Sequence, residues 1–166
     1  MIGNDVVDIE AARRESNIWR KGWQEKLFTG YERTFILASG NPEFAVWLLW
    51  SMKEAAYKAW NRHTGIRIFA PRKLECTVDT FTNLSASGKV RFEDYMFNTQ
   101  STLSQSFIHT VAAQSLKMLD HIVYLPEDNV VKDSNAMPYF KEDEARRPAS
   151  KSHHGRYSIA VGLIDI

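Results

Sequence analysis

Two acids in this chain stand where a plain apolar core would put carbon, and a third polar cluster lies far from both in sequence. Asp5 belongs to Ile2-Gly3-Asn4-Asp5-Val6-Val7-Asp8, whose Val and Ile content reads as a short strand. Side chains alternate along a strand, so Asp5 shares a face with Val7 and Ile9, which look inward, and a carboxylate there needs a partner. Glu54 lies a turn from tryptophan, because Trp47, Trp50, Ser51, Glu54 and Lys58 fall on one side of a helix by three-and-four spacing. The blander alternatives are a surface ion pair between Glu54 and Lys58, worth roughly 0.3 kcal/mol, and a turn-capping role for Asp5. Asp8 suits the N-cap of the next helix and is not counted as a ligand.

The third cluster is Ser150-Lys151-Ser152-His153-His154-Gly155-Arg156-Tyr157. A serine beside a histidine suggests nucleophilic catalysis, but neighbours in an extended chain point to opposite faces, so Ser152 and His153 do not form a nucleophile and base by themselves. Paired histidines at a loop read as solvated, and His63, His109 and His121 add no metal-ligand spacing. Lys151 and Arg156 suit an anionic ligand. The single cysteine, Cys76, reads as a buried small hydrophobe and leaves any metal site to carboxylates and histidines.

The elements that must position these residues follow from caps and periodicity. Thr29-Gly30-Tyr31-Glu32 is a capping-box pattern opening a helix to about Ser39, closed by Gly40. Asn41-Pro42, a cap residue followed by proline, opens the longest helix, which runs to about His63 and ends at Gly65. Beyond it, β-branched and aromatic residues alternate with polar ones through 66–69, 73–79, 89–97, 106–113 and 119–125, with a turn at Ser87-Gly88. Residues 126–151 read as polar and irregular, and 157–164 as a last strand. The expected fold is α+β, a long helix packed on a mostly antiparallel sheet.

With 166 residues, 44% of them hydrophobic and 25% charged, the chain suits one globular domain over 1–166. No run approaches the roughly 18 apolar residues of a membrane span. The amino terminus lacks a basic segment followed by an apolar one, so a soluble, cytoplasmic protein is expected. A formal charge of +1 gives no general attraction to nucleic acid.

Three segments, in this order, resemble the 4′-phosphopantetheinyl transferase superfamily. Ile2-Gly3-Asn4-Asp5-Val6-Val7-Asp8 is similar to its Gly-x-Asp strand. Trp50-Ser51-Met52-Lys53-Glu54-Ala55-Ala56-Tyr57-Lys58-Ala59 is similar to its helix pattern Trp-x-x-Lys-Glu-Ala-x-x-Lys. Ser152-His153 with Tyr157 and Ala160 is similar to its Ser-His-x-x-x-Tyr-x-x-Ala strand, preceded by Met137-Pro138-Tyr139-Phe140. Phe69-Ala70-Pro71 is a weaker echo. Two positions depart from the pattern: Val7 stands where some relatives carry a further acid, and Asn4 replaces an apolar residue.

The resemblance implies transfer of the 4′-phosphopantetheine group from coenzyme A to a serine of an apo-acyl or peptidyl carrier protein, releasing 3′,5′-ADP. It makes Asp5 and Glu54 the magnesium ligands, a hard cation being suited to carboxylates, waters and substrate phosphates. Lys58 and Lys53 would contact the phosphates, Ser152 and His153 would bind coenzyme A, and Glu54 or a metal-bound water would take the serine proton. Larger relatives resemble two fused copies of this half-size domain, and small ones form homo-oligomers, often trimers, with sites at subunit interfaces. The resemblance therefore implies that His153 of one subunit meets Asp5 and Glu54 of its neighbour. Two other readings compete: a catalytically silent relative that binds a carrier or coenzyme A, and an unrelated magnesium-dependent phosphohydrolase.

Overall fold

Capping and alternation build the two elements that carry the acids. In the computed structural model, which describes residues 1–142 and 144–164, the chain opens with β1 (Ile2–Asp8) and α1 (Ile9–Glu15). Asp8 caps α1, its carboxylate accepting from the backbone N–H groups of Glu10 and Ala11. Short α2 (Trp23–Leu27) leads to α3 (Gly30–Ala38), whose Thr29 and Glu32 form the complete capping box. Helix α4 (Pro42–Thr64) starts at Asn41, which caps Phe44 N–H, and stops at Gly65 in the left-handed region, φ 71°.

Apart from α5 and two 3₁₀ turns, the elements that follow among the described residues are strands. β2 (Glu75–Phe81), β3 (Ser85–Phe92), β4 (Tyr95–Leu103) and β5 (Phe107–Ala113) form a meander that β1 completes, giving the order β1-β5-β4-β3-β2 with every pair antiparallel. After α5 (Leu116–Asp120) come β6 (Ile122–Leu125), β7 (Val131–Lys132), β8 (Pro138–Glu142), β9 (Ala145–His154) and β10 (Tyr157–Leu163). They form a second antiparallel sheet in the order β6-β10-β9-β8-β7. The α+β reading holds. Among the described residues no helix is long and apolar enough to cross a membrane.

Several boundaries differ from the sequence reading. Residues 66–69 are not a strand but a connection into a short 3₁₀ turn at Pro71–Lys73. The run 89–97 is two strands meeting at Glu93, whose φ of 53° makes the hairpin turn. Ser87-Gly88 lies inside β3 rather than at a turn. A Cβ on Gly88 would stand 2.2 Å from the Thr77 carbonyl oxygen and 2.9 Å from Met52 Cε, so this glycine serves close packing of strand and helix. The segment 119–125 divides between α5 and β6, and 126–151 holds β7, β8 and most of β9, whose basic residues hide the strand pattern.

α4 lies across the first sheet with Val46, Leu49, Met52, Ala56 and Trp60 in the main core, Trp60 meeting Phe92 edge-on at 4.8 Å. Gly3 allows β1 to press on this helix, since a Cβ there would fall 2.2 Å from the Ala55 carbonyl oxygen. On the opposite face of β1, Ile2 joins Val111, Leu119, Val161 and Leu163 in a second cluster beneath the second sheet. β1 is thus packed on both sides, and residues two apart from Gly3 face α4.

Candidate active site

Asp5 follows Gly3 by two positions and therefore points toward α4, where it lines a cavity of about 590 Å³ with Glu54, Lys58, Lys151, Ser152 and His153. Trp23, Leu27, Trp47 and Trp50 form the apolar part of the wall. The acids expected from sequence to lie near each other do so, and the strand that carries Ser152 and His153 belongs to the same chain.

Lys58 does not form the helical ion pair with Glu54. Its ammonium reaches across to β1, donating to Asp5 Oδ1 (3.1 Å), to the Asn4 carbonyl (2.9 Å) and to Ser152 Oγ (3.2 Å). Glu54 consequently makes no hydrogen bond or ion pair with a described residue. Burial, and then the charge of Asp5, push its carboxyl up to about 7, with Lys58 opposing. Two carboxylates in one cavity, one of them without a partner among the described residues, fit a hard cation that takes oxygen ligands. Among the described residues no group of three or more His, Cys, Asp or Glu could hold a metal, so the remaining ligands of such an ion would be waters and substrate oxygens.

Lys53 corrects an expectation. It points away from the cavity, is fully buried, and gives its ammonium to Glu32 Oε2 (2.8 Å) and to the Pro71 (2.8 Å) and Leu74 (2.5 Å) carbonyls. Glu32 also accepts from the Thr29 and Cys76 backbone N–H groups, at 2.8 and 2.7 Å. An ammonium enclosed in this way is not available to a phosphate; it ties α3, α4 and β2 together.

Ser152 is buried, and its hydroxyl donates to Asp5 Oδ1 (3.1 Å) while accepting from Val6 N–H (3.0 Å) and Lys58. His153, its neighbour, points the other way, is exposed, and stands on the cavity rim, as alternation requires. Beyond it a smaller basic recess of about 340 Å³ is lined by Lys58, Arg62, Lys132, Lys151 and His153. β9 thus brings Ser152 and His153 to the cavity of Asp5 and Glu54 within one chain.

The sequence reading missed how β9 attaches. Ser150 Oγ, Ser152 Oγ and His154 Nδ1 accept from the backbone N–H groups of Asn4, Val6 and Asp8 at 2.9, 3.0 and 3.0 Å. Three alternate side chains thus satisfy the free edge of β1. Their period-two spacing was the available signal. His154 Nε2 meets Glu15 (3.0 Å), so it is a structural contact and not a solvated loop residue. Arg156, expected to suit an anionic ligand, instead grips Asp8 through two 2.8 Å bonds and holds that carboxyl well below the usual range. Lys151 pairs with Glu127 at 2.6 Å.

Asn4 also has its explanation. Its amide donates to the Ile159 carbonyl and meets His109 Nε2, both at 3.1 Å, joining β1 to β10 and β5. His109 must be neutral to accept there, and burial, then the charge of Lys58, lower its pKa to about 4.

The family model described as the 4′-phosphopantetheinyl transferase superfamily matches residues 1–112, which contain Asp5, Glu54 and Lys58 and end inside β5. No curated protein matches the sequence. Among solved structures, the crystal structure of holo-[acyl-carrier-protein] synthase from Neisseria meningitidis is similar at 14% identity and a TM-score of 0.49, over 67% of this chain and 94% of that one. On the match through β1, α4 and the meander, over two thirds of its length, this chain belongs to the 4′-phosphopantetheinyl transferase superfamily.

Proposed function

We propose that this protein transfers the 4′-phosphopantetheine group of coenzyme A to a serine hydroxyl of an apo-acyl or peptidyl carrier protein and releases 3′,5′-ADP. The observation that carries the reading is the pairing of Asp5 with an unpartnered Glu54 beside Lys58 in one cavity, within the segment that matches the family. Asp5 and Glu54 would hold magnesium, which when bound supplies Lewis-acid chemistry at the diphosphate. Lys58 and His153 face the same space and would hold the anionic parts of coenzyme A, with the apolar wall of Trp23, Trp47 and Trp50 beside them. The carrier serine oxygen bonds to the phosphorus nearer pantetheine as the bond from that phosphorus to the bridging diphosphate oxygen breaks. Glu54 or a metal-bound water would accept the serine proton.

The test is mass spectrometry of apo-carriers incubated with protein, coenzyme A and magnesium. One added phosphopantetheine, abolished by chelator, is expected; a folded protein that binds coenzyme A yet modifies no carrier in a broad panel would favour the silent relative.

A site closed within one chain also predicts the outcome of subunit mixing. His153→Ala and Glu54→Gln chains, mixed under conditions that allow exchange, should show no more activity than the parents at the same total concentration. Rescue would place the two halves of the site on different chains.

A further inference from the structure

We infer that Ser152 is a positioning residue for Asp5 and does not contact coenzyme A, an inference that rests on the transferase reading above. A serine hydroxyl has one proton to donate and two lone pairs to offer. Here the proton goes to Asp5 Oδ1 and the lone pairs receive Val6 N–H and the Lys58 ammonium, at 3.1, 3.0 and 3.2 Å. The side chain is buried and its hydrogen-bonding capacity is full, so nothing remains for a substrate oxygen.

Asp5 Oδ1, in turn, receives both Ser152 and Lys58. These two donors fix the rotation of the carboxyl group. Oδ2 accepts no hydrogen bond from a described residue, which leaves it open toward a cation. Ser152 is also the middle rung of the seam between β9 and β1, and of the three rungs, Ser150, Ser152 and His154, it alone touches the acid. The seam therefore transmits the position of the second sheet to the carboxylate at one point.

Ser150 supplies the internal control, because it makes the equivalent bond to Asn4 N–H without reaching Asp5. The experiment compares wild type, Ser152→Ala and Ser150→Ala for Mn²⁺ uptake, read from the free-ion paramagnetic resonance signal at saturating coenzyme A, and for KM of coenzyme A at saturating magnesium. Ser152→Ala should weaken Mn²⁺ binding on the order of 10-fold, as loss of a group orienting a metal ligand does, and leave KM within about twofold. Ser150→Ala should leave both within about twofold. Ser152→Cys, similar in size and a poor donor, should reproduce the metal defect if the alanine variant does not fold.

Unchanged Mn²⁺ affinity with a raised KM for coenzyme A would overturn the inference in favour of direct substrate contact. Equal Mn²⁺ defects in Ser150→Ala and Ser152→Ala would overturn it in favour of a seam that merely holds the sheets together. A wild-type protein that modifies carriers while Ser152→Ala binds metal normally sinks only this inference. A wild type that neither takes up Mn²⁺ nor modifies any carrier sinks the transferase reading as well.

Discussion

Glu54→Gln should lower phosphopantetheine transfer by about 10²-fold or more, and at least as much as Asp5→Asn, when magnesium is limiting. Among the described residues Glu54 has no partner to spare it: a glutamine keeps the shape and removes the carboxylate proposed as metal ligand and proton acceptor. Near-normal turnover in either variant would remove that residue from the metal site.

The same substitution has a signature on stability. The Glu54 carboxyl is raised from 4.5 to about 7 in the fold, so its protonated form is favoured there. Its contribution is fully present below pH 4.5 and is lost as pH rises through about 7. His109 runs the other way: lowered from 6.5 to about 4, it contributes above 6.5 and loses that contribution as pH falls through 4. The two slopes oppose each other over an overlapping window. Subtracting the Glu54→Gln stability curve from that of the metal-free wild type isolates the glutamate. The difference should fall by up to about 3 kcal/mol between pH 4.5 and 7, followed by urea denaturation. A difference that rises with pH would contradict the burial of Glu54 beside Asp5.

The second large effect is structural. Lys53→Met should destabilise the fold by about 3–5 kcal/mol, because it leaves Glu32 buried beside no counter-charge. Both side chains of this pair are almost wholly enclosed, at 0% and 1% exposure, so solvent does not screen the loss. The double variant Lys53→Met with Glu32→Gln should recover much of the stability, since the uncompensated charge is then gone while an amide oxygen still accepts from Cys76 or Thr29. Denaturant midpoints decide this. In the fraction that folds, KM for coenzyme A should stay near the wild-type value; a large rise in KM without loss of stability would return Lys53 to the phosphates.

What was legible beforehand was local. The Asn41-Pro42 start and Gly65 stop of α4 are written in adjacent residues, and so is the helical spacing that puts Glu54 and Lys58 on the Trp47 and Trp50 side. The alternation of β1 correctly turned Asp5 to the face of Val7, and the match to residues 1–112 agrees with the family read from the Gly-x-Asp and Lys-Glu-Ala motifs. The second sheet was the least legible part. Arg146, Arg147 and Lys151 interrupt the strand pattern of β9, and the turn signal at Ser87-Gly88 was a packing glycine that looks the same in one dimension.

By itself, then, the sequence determined which acids sit on which faces, where the helix that carries Glu54 begins and ends, and the family. Only the tertiary structure decided the partners. Lys58 had Glu54 a turn away yet chose Asp5, 53 residues earlier, because β1 lies against the helix where Gly3 lets the backbones meet. Lys53 is adjacent to Glu54 in sequence but leaves the helix on another side, where Glu32, the Pro71 carbonyl of the 3₁₀ turn and the Leu74 carbonyl just after it enclose it. Ser152 reached its place through bonds to residues about 146 positions away, and no local propensity carries information over that distance.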